Sequence, residues 1–217
     1  MIEHVYRRVA ASRSVGAVLV ATDDERIRAA VTAFGGDVRM TSPRHRSGTD
    51  RVAEVAAAIQ CDLVVNVQGD EPLIEPEMIE EALAPFAADA SLQMGTLRRR
   101  LDDPAAAASP HVTKVVVDAD GFALYFSRAP IPFLRDPAAG AAVYKHIGVY
   151  VYRRRVLLEL AAMAPTPLER AEALEQLRAL ERGIRIKTVE TRHDSIGVDT
   201  PDDLERVRQR LAAPARS

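Results

Sequence analysis

Cysteine is almost missing from this 217-residue chain, and so are long apolar runs and any excess of charge of one sign. The single cysteine, Cys61, cannot close an internal bridge, which excludes a disulfide-stapled scaffold and a cysteine metal cluster and points to a reducing compartment. No apolar stretch approaches the ~20 residues that span a bilayer, and residues 1–14 lack the apolar core of a secretory signal. A cytoplasmic protein without membrane insertion is therefore expected. Lys+Arg 29 against Asp+Glu 31 leaves a formal charge of only −2, so bulk electrostatics offer no nucleic-acid partner and any anion recognition must be local. The glycine patterns G-x-G-x-x-G and G-x-x-x-x-G-K-[ST] are absent, which argues against a dinucleotide oxidoreductase or a P-loop enzyme, and there is no G-x-S-x-G elbow. What is present, 47% hydrophobic and 28% charged residues, suits one large globular domain.

Residues 17–98 alternate short apolar runs with helical stretches. Residues 17–22 read as a buried strand, 23–34 as a helix closed by Gly35 and Gly36, 37–41 as a strand, and 49–59 as a helix with Val52, Val55, Ala56 and Ile59 at helical spacing. Residues 62–68 form the clearest buried strand, and a helix comes next from Pro76 to Ala87. This order predicts βαβ units and a doubly wound, mostly parallel α/β sheet. Near residue 99 the regime changes: helical connectors drop out, and residues 113–128 read as a hairpin around an Asp-Gly turn. Seven of the ten aromatic residues lie between 122 and 152, which predicts a local mini-core there, with a subunit interface as a second use of the same patch. Beyond it come a strand (148–153), helices (154–163 and 167–182), a strand (183–191) and a final helix (200–211), started by Thr200, Pro201 and Asp203.

Ligands of open parallel sheets bind beyond the carboxyl ends of strands, so the residues after each strand carry the interest. Asp70 comes after the strand 62–68 with Gln68 beside it; such a carboxylate can hold Mg²⁺, although a plain turn uses the same residue types. Asp199, just before the capped helix, is a second candidate, or simply an acid favoured by the helix dipole. The loop 44–51 sets Arg44, His45, Arg46, Ser47, Gly48 and Thr49 directly before a helix N-terminus, where a phosphate or a base edge would find donors; an ordinary N-cap with solvated arginines would look the same. His146 and Tyr150, four apart in an extended run, point to one face and form either a packed pair or part of a site. Within 167–182, Leu174, Leu177 and Leu180 read as the buried edge, with Glu175, Gln176 and Arg178 as a solvated face or as i,i+3 pairing.

These residues lie in seven blocks that resemble the 3-deoxy-manno-octulosonate (KDO) cytidylyltransferase family: ATDDERI, RSGTDRVAEV, VVNVQGDEPLI, TKVVVDADGFALYFSRAPIP, KHIGVYVYR, PLERAEALEQLRALERGIRI and GVDTPDDLERV, in family order over nearly the whole chain. The resemblance implies that CTP and KDO react with Mg²⁺ to give CMP-KDO and pyrophosphate for lipopolysaccharide synthesis, in a homodimer. It implies Asp70 and Asp199 as catalytic residues and Mg²⁺ ligands, and Ser47, Gly48, Thr49 and Arg51 on the nucleotide. Gln68, Arg128, His146, Tyr150, Glu175 and Gln176 are implied to line the sugar pocket. It further implies a nucleotide-binding α/β part over 1–98, a β-rich insertion over 99–153 for sugar binding and dimer contact, a completing α/β part over 154–211, and a tail over 212–217.

One departure stands out. The family opens with a strand and a loop of the type P-A-R-x-x-S-x-R-L-P-G-K that grips the triphosphate, whereas Met1-Ile2-Glu3-His4-Val5 here matches the start of the first helix, beyond that loop. A late start codon, a trimmed chain or a genuine remnant would each give this pattern. The chain as written is expected to turn over poorly and to be less stable than an extended form. Competing readings are another sugar nucleotidyltransferase of the same fold, or a non-catalytic remnant that binds KDO or dimerises.

Overall fold

The computed structural model describes residues 1–136, 140–198 and 200–212. Helix α1 (Ile2–Ala10) leads into β1 (Val20–Thr22), α2 (Glu25–Ala33) and β2 (Val38–Met40). Asp24 caps α2 by accepting the Arg26 amide at 2.7 Å, and Gly35, at φ +78°, takes the left-handed turn that ends it. The chain then returns as β2, which pairs in parallel with β1. Next come α3 (Gly48–Ala57), β3 (Leu63–Asn66) and α4 (Pro76–Ala88), with α3 packed against both β1 and β3.

The remaining elements are β4 (Met94–Arg100), α5 (Pro104–Ala108), β5 (Lys114–Val117), β6 (Ala123–Ser127), β7 (Tyr144–Arg153), α6 (Arg154–Ala161), α7 (Pro167–Glu172), α8 (Gln176–Glu181), β8 (Ile186–Glu190) and α9 (Pro201–Ala212). β3, β4 and β5 each pair antiparallel with β7, and β8 runs parallel to β4. β3, β4, β5 and β8 therefore share one direction, with β7 reversed between β3 and β4, and β6 reversed beside β5. This is the mixed, mostly parallel α/β arrangement that the strand-helix alternation predicts.

Alternation along β7 separates two cores. Ile147, Val149 and Val151 face a cluster with Val5, Val9, Ile74, Met78, Ile79 and Phe86 from α1, α4 and the turn between β3 and α4. Tyr150 and Tyr152 face the other, with Ala53, Ala56, Val156, Leu157, Leu160 and Leu177 from α3, α6 and α8. Each fully buried aliphatic side chain here contributes about 1.5–3 kcal/mol. Tyr150 and Tyr152 stack at 5.9 Å.

Four expectations need correction. The strand at 62–68 is shorter and less buried than its apolar run implies: Leu63, Val64 and Val65 are half-buried and only Asn66 is enclosed, because β7 is the strand that pairs with β3 among the described residues. The first strand likewise shrinks to Val20–Thr22, and β1 with β2 forms a small sheet of its own. A helical connector, α5, does appear after residue 99, capped by Asp103 on the Ala105 amide at 2.9 Å. The single helix at 167–182 is two helices, broken at Ala173 with φ +52°.

The Asp-Gly hairpin forms as expected. Asp118 accepts the Asp120 and Phe122 amides, and Gly121 supplies φ +77°. Beneath its open end Lys114 is fully buried, and its ammonium donates to the carbonyls of Ser109, Val112 and Arg128 at 2.8, 2.7 and 2.5 Å. Burial lowers its proton affinity, and the three carbonyls keep the charge solvated by the backbone. Lys114 thus ties residues 109–112 to the end of β6, where Arg128 leaves the sheet.

Candidate active site

The first turn of α3 is the hub of the site. Ser47 caps it, its hydroxyl accepting the Asp50 amide at 3.1 Å, while the exposed Arg44 and Arg46 flank it as the ordinary N-cap reading expects. Gly48 lies against Gln68 of the β3 exit, so that a Cβ there would come within 3.3 Å of the Gln68 carbonyl oxygen. Arg51 reaches the β1 exit, pairing with Asp23 at 3.0 Å and with the Thr41 hydroxyl at 2.7 Å. One helix turn therefore touches the carboxyl ends of two strands, the position where open α/β sheets bind ligands.

The hydroxyls of Ser47 and Thr49 donate to the two oxygens of Glu175, at 2.7 and 2.6 Å. Glu175 is in turn 3.5 Å from the guanidinium of Arg178, which is buried and forked onto Glu169 at 2.5 and 2.9 Å. Of the two readings of Glu175, Gln176 and Arg178, the i,i+3 pairing forms between Glu175 and Arg178 and the solvated face is corrected: the left-handed residue at 173 rotates this stretch inward, leaving Gln176 and Arg178 only 5% and 4% exposed.

On the β7 face, His146 and Tyr150 do share a side, with ring centroids 5.3 Å apart, and Phe126 meets His146 edge-on at 5.0 Å. Both rings are half-buried by exposure yet lie deep among protein atoms. Burial, with Lys145 as a second cause, pushes the His146 pKa down to about 3, so the imidazole is neutral across the physiological range. Burial likewise raises Tyr150 well above its ordinary value, keeping its hydroxyl protonated. Arg128 donates from Nε to the Glu172 carbonyl at 2.9 Å and from Nη1 to the Pro110 carbonyl at 3.2 Å; among the described residues it makes no ion pair. Backbone oxygens hold its plane, and the nearby Glu172 carboxylate, which accepts the Arg128 amide, feels its charge.

Asp70, half-buried in the turn after β3, accepts the Val198 amide on its backbone carbonyl at 2.9 Å. Glu71 beside it accepts the Ser195 hydroxyl. The segment 195–198 thus lies on the β3 exit. The next residue, the predicted ligand Asp199, is outside the described residues, as are residues 213–217 of the predicted tail. Among the described residues, no group of three or more His, Cys, Asp or Glu could hold a metal ion.

Residues 1–186 match a family described as Cytidylyltransferase. The chain belongs to the cytidylyltransferase family. The 3-deoxy-manno-octulosonate cytidylyltransferase of Geobacter metallireducens is 57% identical, over 98% of this chain and 87% of its own length. The protein of that name from Solibacter usitatus is 51% identical, over 98% of this chain and 84% of its own. Among solved structures, CMP:2-keto-3-deoxy-manno-octonic acid synthetase complexed with CTP superposes with a TM-score of 0.92 at 45% identity, covering 97% of this chain and 87% of that one. A 4-diphosphocytidyl-2C-methyl-D-erythritol synthase from Anaerococcus prevotii shares the fold, with a TM-score of 0.62 at 13% identity over 98% of this chain and 89% of that one.

In this cytidylyltransferase, sequence reasoning missed three polar side chains that shape the site. Thr96 of β4 is 1% exposed and bonded to His146. Glu172 accepts the Ser127 hydroxyl and the Arg128 amide, at 2.6 and 3.0 Å. Asn66 is 3% exposed and accepts Gln68 Nε2 at 3.4 Å, while its own Nδ2 is buried with no partner among the described residues. A polar residue inside the apolar run LVVNVQ was the one visible signal of the three, since an unpaired amide is costly to bury. Among the described residues, no helix is long and apolar enough to cross a membrane.

Proposed function

We propose that this chain is a cytoplasmic nucleotidyltransferase that joins CMP from CTP to KDO, releasing pyrophosphate and supplying CMP-KDO for lipopolysaccharide assembly. The observation that carries the reading is the meeting of two half-sites at Glu175: the loop predicted to take the nucleotide and the pocket predicted to take the sugar are bonded through that one carboxylate. In the reaction, the anomeric hydroxyl of KDO attacks the α-phosphorus. The bond between Pα and the bridging oxygen to Pβ breaks, pyrophosphate departs with that oxygen, and the hydroxyl proton passes to solvent water.

Arg128 takes the carboxylate of the sugar, its guanidinium held flat by two backbone carbonyls. His146, Tyr150, Gln68 and Gln176 meet its hydroxyls with neutral donors and acceptors. Gly48 and the α3 N-terminus receive the cytidine side, with Ser47 and Thr49 held in place by Glu175 and Arg51 bracing the helix on Asp23. Asp70 and Asp199 are the proposed Mg²⁺ ligands. A half-buried carboxylate at a strand exit supplies the hard oxygen that this ion prefers, and one or two such ligands suffice because phosphates and water complete its shell. When bound, Mg²⁺ neutralises charge on the triphosphate.

The homodimer belongs to the same proposal. Phe133 is 87% exposed beside a groove of about 490 Å³, lined by Leu101, Ile131, Leu134 and Val143 among others, a patch too apolar to be left to water. Calorimetric titration with CTP and with KDO, then pyrophosphate release in the presence of Mg²⁺, tests the chemistry. Binding of both ligands is expected, and a chain that binds neither overturns the reading. Sedimentation should give twice the chain mass, falling to one chain mass for Phe133→Ser; an unchanged sedimentation profile for that variant removes the patch from the interface.

A further inference from the structure

Thr96 and His146 meet at a bulge in the main sheet. The register of β4 on β7 jumps from Thr96 opposite Tyr150 to Leu97 opposite Ile147, so Gly148 and Val149 are extra residues on β7. Thr96 fills the resulting gap. Its hydroxyl oxygen lies 2.8 Å from the Val149 carbonyl, 3.1 Å from the Ile147 carbonyl and 2.9 Å from His146 Nε2.

A threonine hydroxyl has one proton and two lone pairs. Both carbonyl oxygens are acceptors only, so the proton must point at them; turned toward His146 instead, it would leave oxygen lone pairs facing each other at 2.8 Å in a buried site. With its proton committed to the bulge, Thr96 can only accept from His146. The imidazole is neutral, so its one ring proton then sits on Nε2 and Nδ1 carries a lone pair. Among the described residues Nδ1 has no hydrogen-bond partner.

We infer that Thr96 is a positioning residue for the sugar pocket: through the β7 bulge it locks His146 as the Nε2–H tautomer, so that Nδ1 is an obligate acceptor for a sugar hydroxyl. This rests on the proposed placement of His146 in the KDO pocket and adds what that placement leaves open, namely the direction of the hydrogen bond. A pocket so polarised selects a ligand that places a donating hydroxyl at this point and rejects an isostere with an acceptor there, since two lone pairs would then face each other in a dehydrated cleft.

The test is nitrogen NMR of the full chain labelled with ¹⁵N-histidine. Long-range couplings from the ring carbon protons distinguish a protonated ring nitrogen from a bare one, and His146 is assigned among the five histidines by its loss in His146→Gln. Wild type should show Nε2 protonated and Nδ1 bare, before and after KDO is added. The reverse assignment in wild type overturns the inference with no variant needed, so it survives a misfolded mutant. Thr96→Val should release the tautomer and raise the Kd for KDO about tenfold, one hydrogen bond's worth, with the affinity for CTP unchanged. Thr96→Ser, which keeps the hydroxyl, should restore both the tautomer and the affinity. Failure of serine to restore either counts against a hydroxyl role. If Thr96→Val moves the tautomer as expected but leaves the KDO affinity intact, His146 does not face the sugar, and it is the pocket assignment that falls.

Discussion

Arg178→Leu is expected to cost about 3–5 kcal/mol of stability, because it strands a half-enclosed carboxylate. For a domain of this size, that corresponds to a melting temperature lower by roughly 6–20 °C. The Arg178 and Glu169 side chains are 5% and 12% exposed and meet through two parallel bonds, Nη2 to Oε1 and Nε to Oε2. Nη1 of the same guanidinium also reaches the Leu160 carbonyl at 3.3 Å, and Glu169 accepts the Thr166 amide at 3.0 Å as part of the capping box of α7. Leucine replaces the volume of the stem and none of these bonds. The double variant Arg178→Leu, Glu169→Leu should recover a good part of the loss, since removing both charges also removes their desolvation cost. Melting curves of the three proteins decide the matter; a single variant within 2 °C of wild type, the resolution of the assay at roughly 0.5 kcal/mol, would show that the pair contributes nothing net. Acid should imitate the variant. The hydrogen bond from Arg178 holds the Glu169 carboxyl below its ordinary 4.5, so the unfolded chain takes up this proton first. The stabilisation is complete above pH 4.5 and is lost as the pH falls through the lower folded-state value.

The same contact explains where sequence reading ran out. Helices α2, α3, α4 and α9 were legible because their signals are local: Asp24, Ser47 and Thr200 as caps, Pro76 and Pro201 in first turns, and Gly35 at a left-handed stop. The break between α7 and α8 is not local. Alanine is the best helix former, and nothing in AEALEQLRAL announces that Ala173 will adopt φ +52°. The turn is held by tertiary bonds, Arg178 to Glu169 on one side and Ser47 and Thr49 to Glu175 on the other, and the latter join residues more than a hundred positions apart. Periodicity therefore assigned Glu175 and Gln176 to solvent, and only the resemblance moved them into the site. Thr96 was hidden for a similar reason: a threonine in a strand is ordinary until the bulge opposite it is known. Apolar runs overstated the burial of β3 because a run reports what a strand is willing to bury, whereas its actual enclosure depends on which neighbours pair with it.

Asp70→Asn is expected to lower turnover by about 10²–10³-fold, the scale of removing one preorganised electrostatic contact from a dehydrated site. The substitution is nearly isosteric. It leaves the backbone carbonyl that accepts the Val198 amide, and with it the seat of residues 195–198 on the β3 exit, so the melting temperature should move by no more than a few degrees. What changes is one negative charge at the mouth of a strand, where the proposed cation would be held against the triphosphate. The defect should therefore appear in the Mg²⁺ dependence, with the half-saturating concentration rising, while the Kd for KDO measured without nucleotide stays near wild type, because the proposed sugar contacts (Arg128, His146, Tyr150, Gln68 and Gln176) all keep their side chains. Asp102→Asn is the matched control: that carboxylate is 84% exposed in the connection between β4 and α5 and pairs only with Arg100 among the described residues, so losing its charge should leave turnover and metal dependence alone. Pyrophosphate release at several Mg²⁺ concentrations, run on the three proteins side by side, separates the outcomes. If Asp70→Asn keeps turnover within a factor of a few at low Mg²⁺, the metal is held elsewhere and the β3 exit only supports the neighbouring loop; if it fails equally at every Mg²⁺ concentration, the carboxylate acts on the reacting groups rather than through the ion.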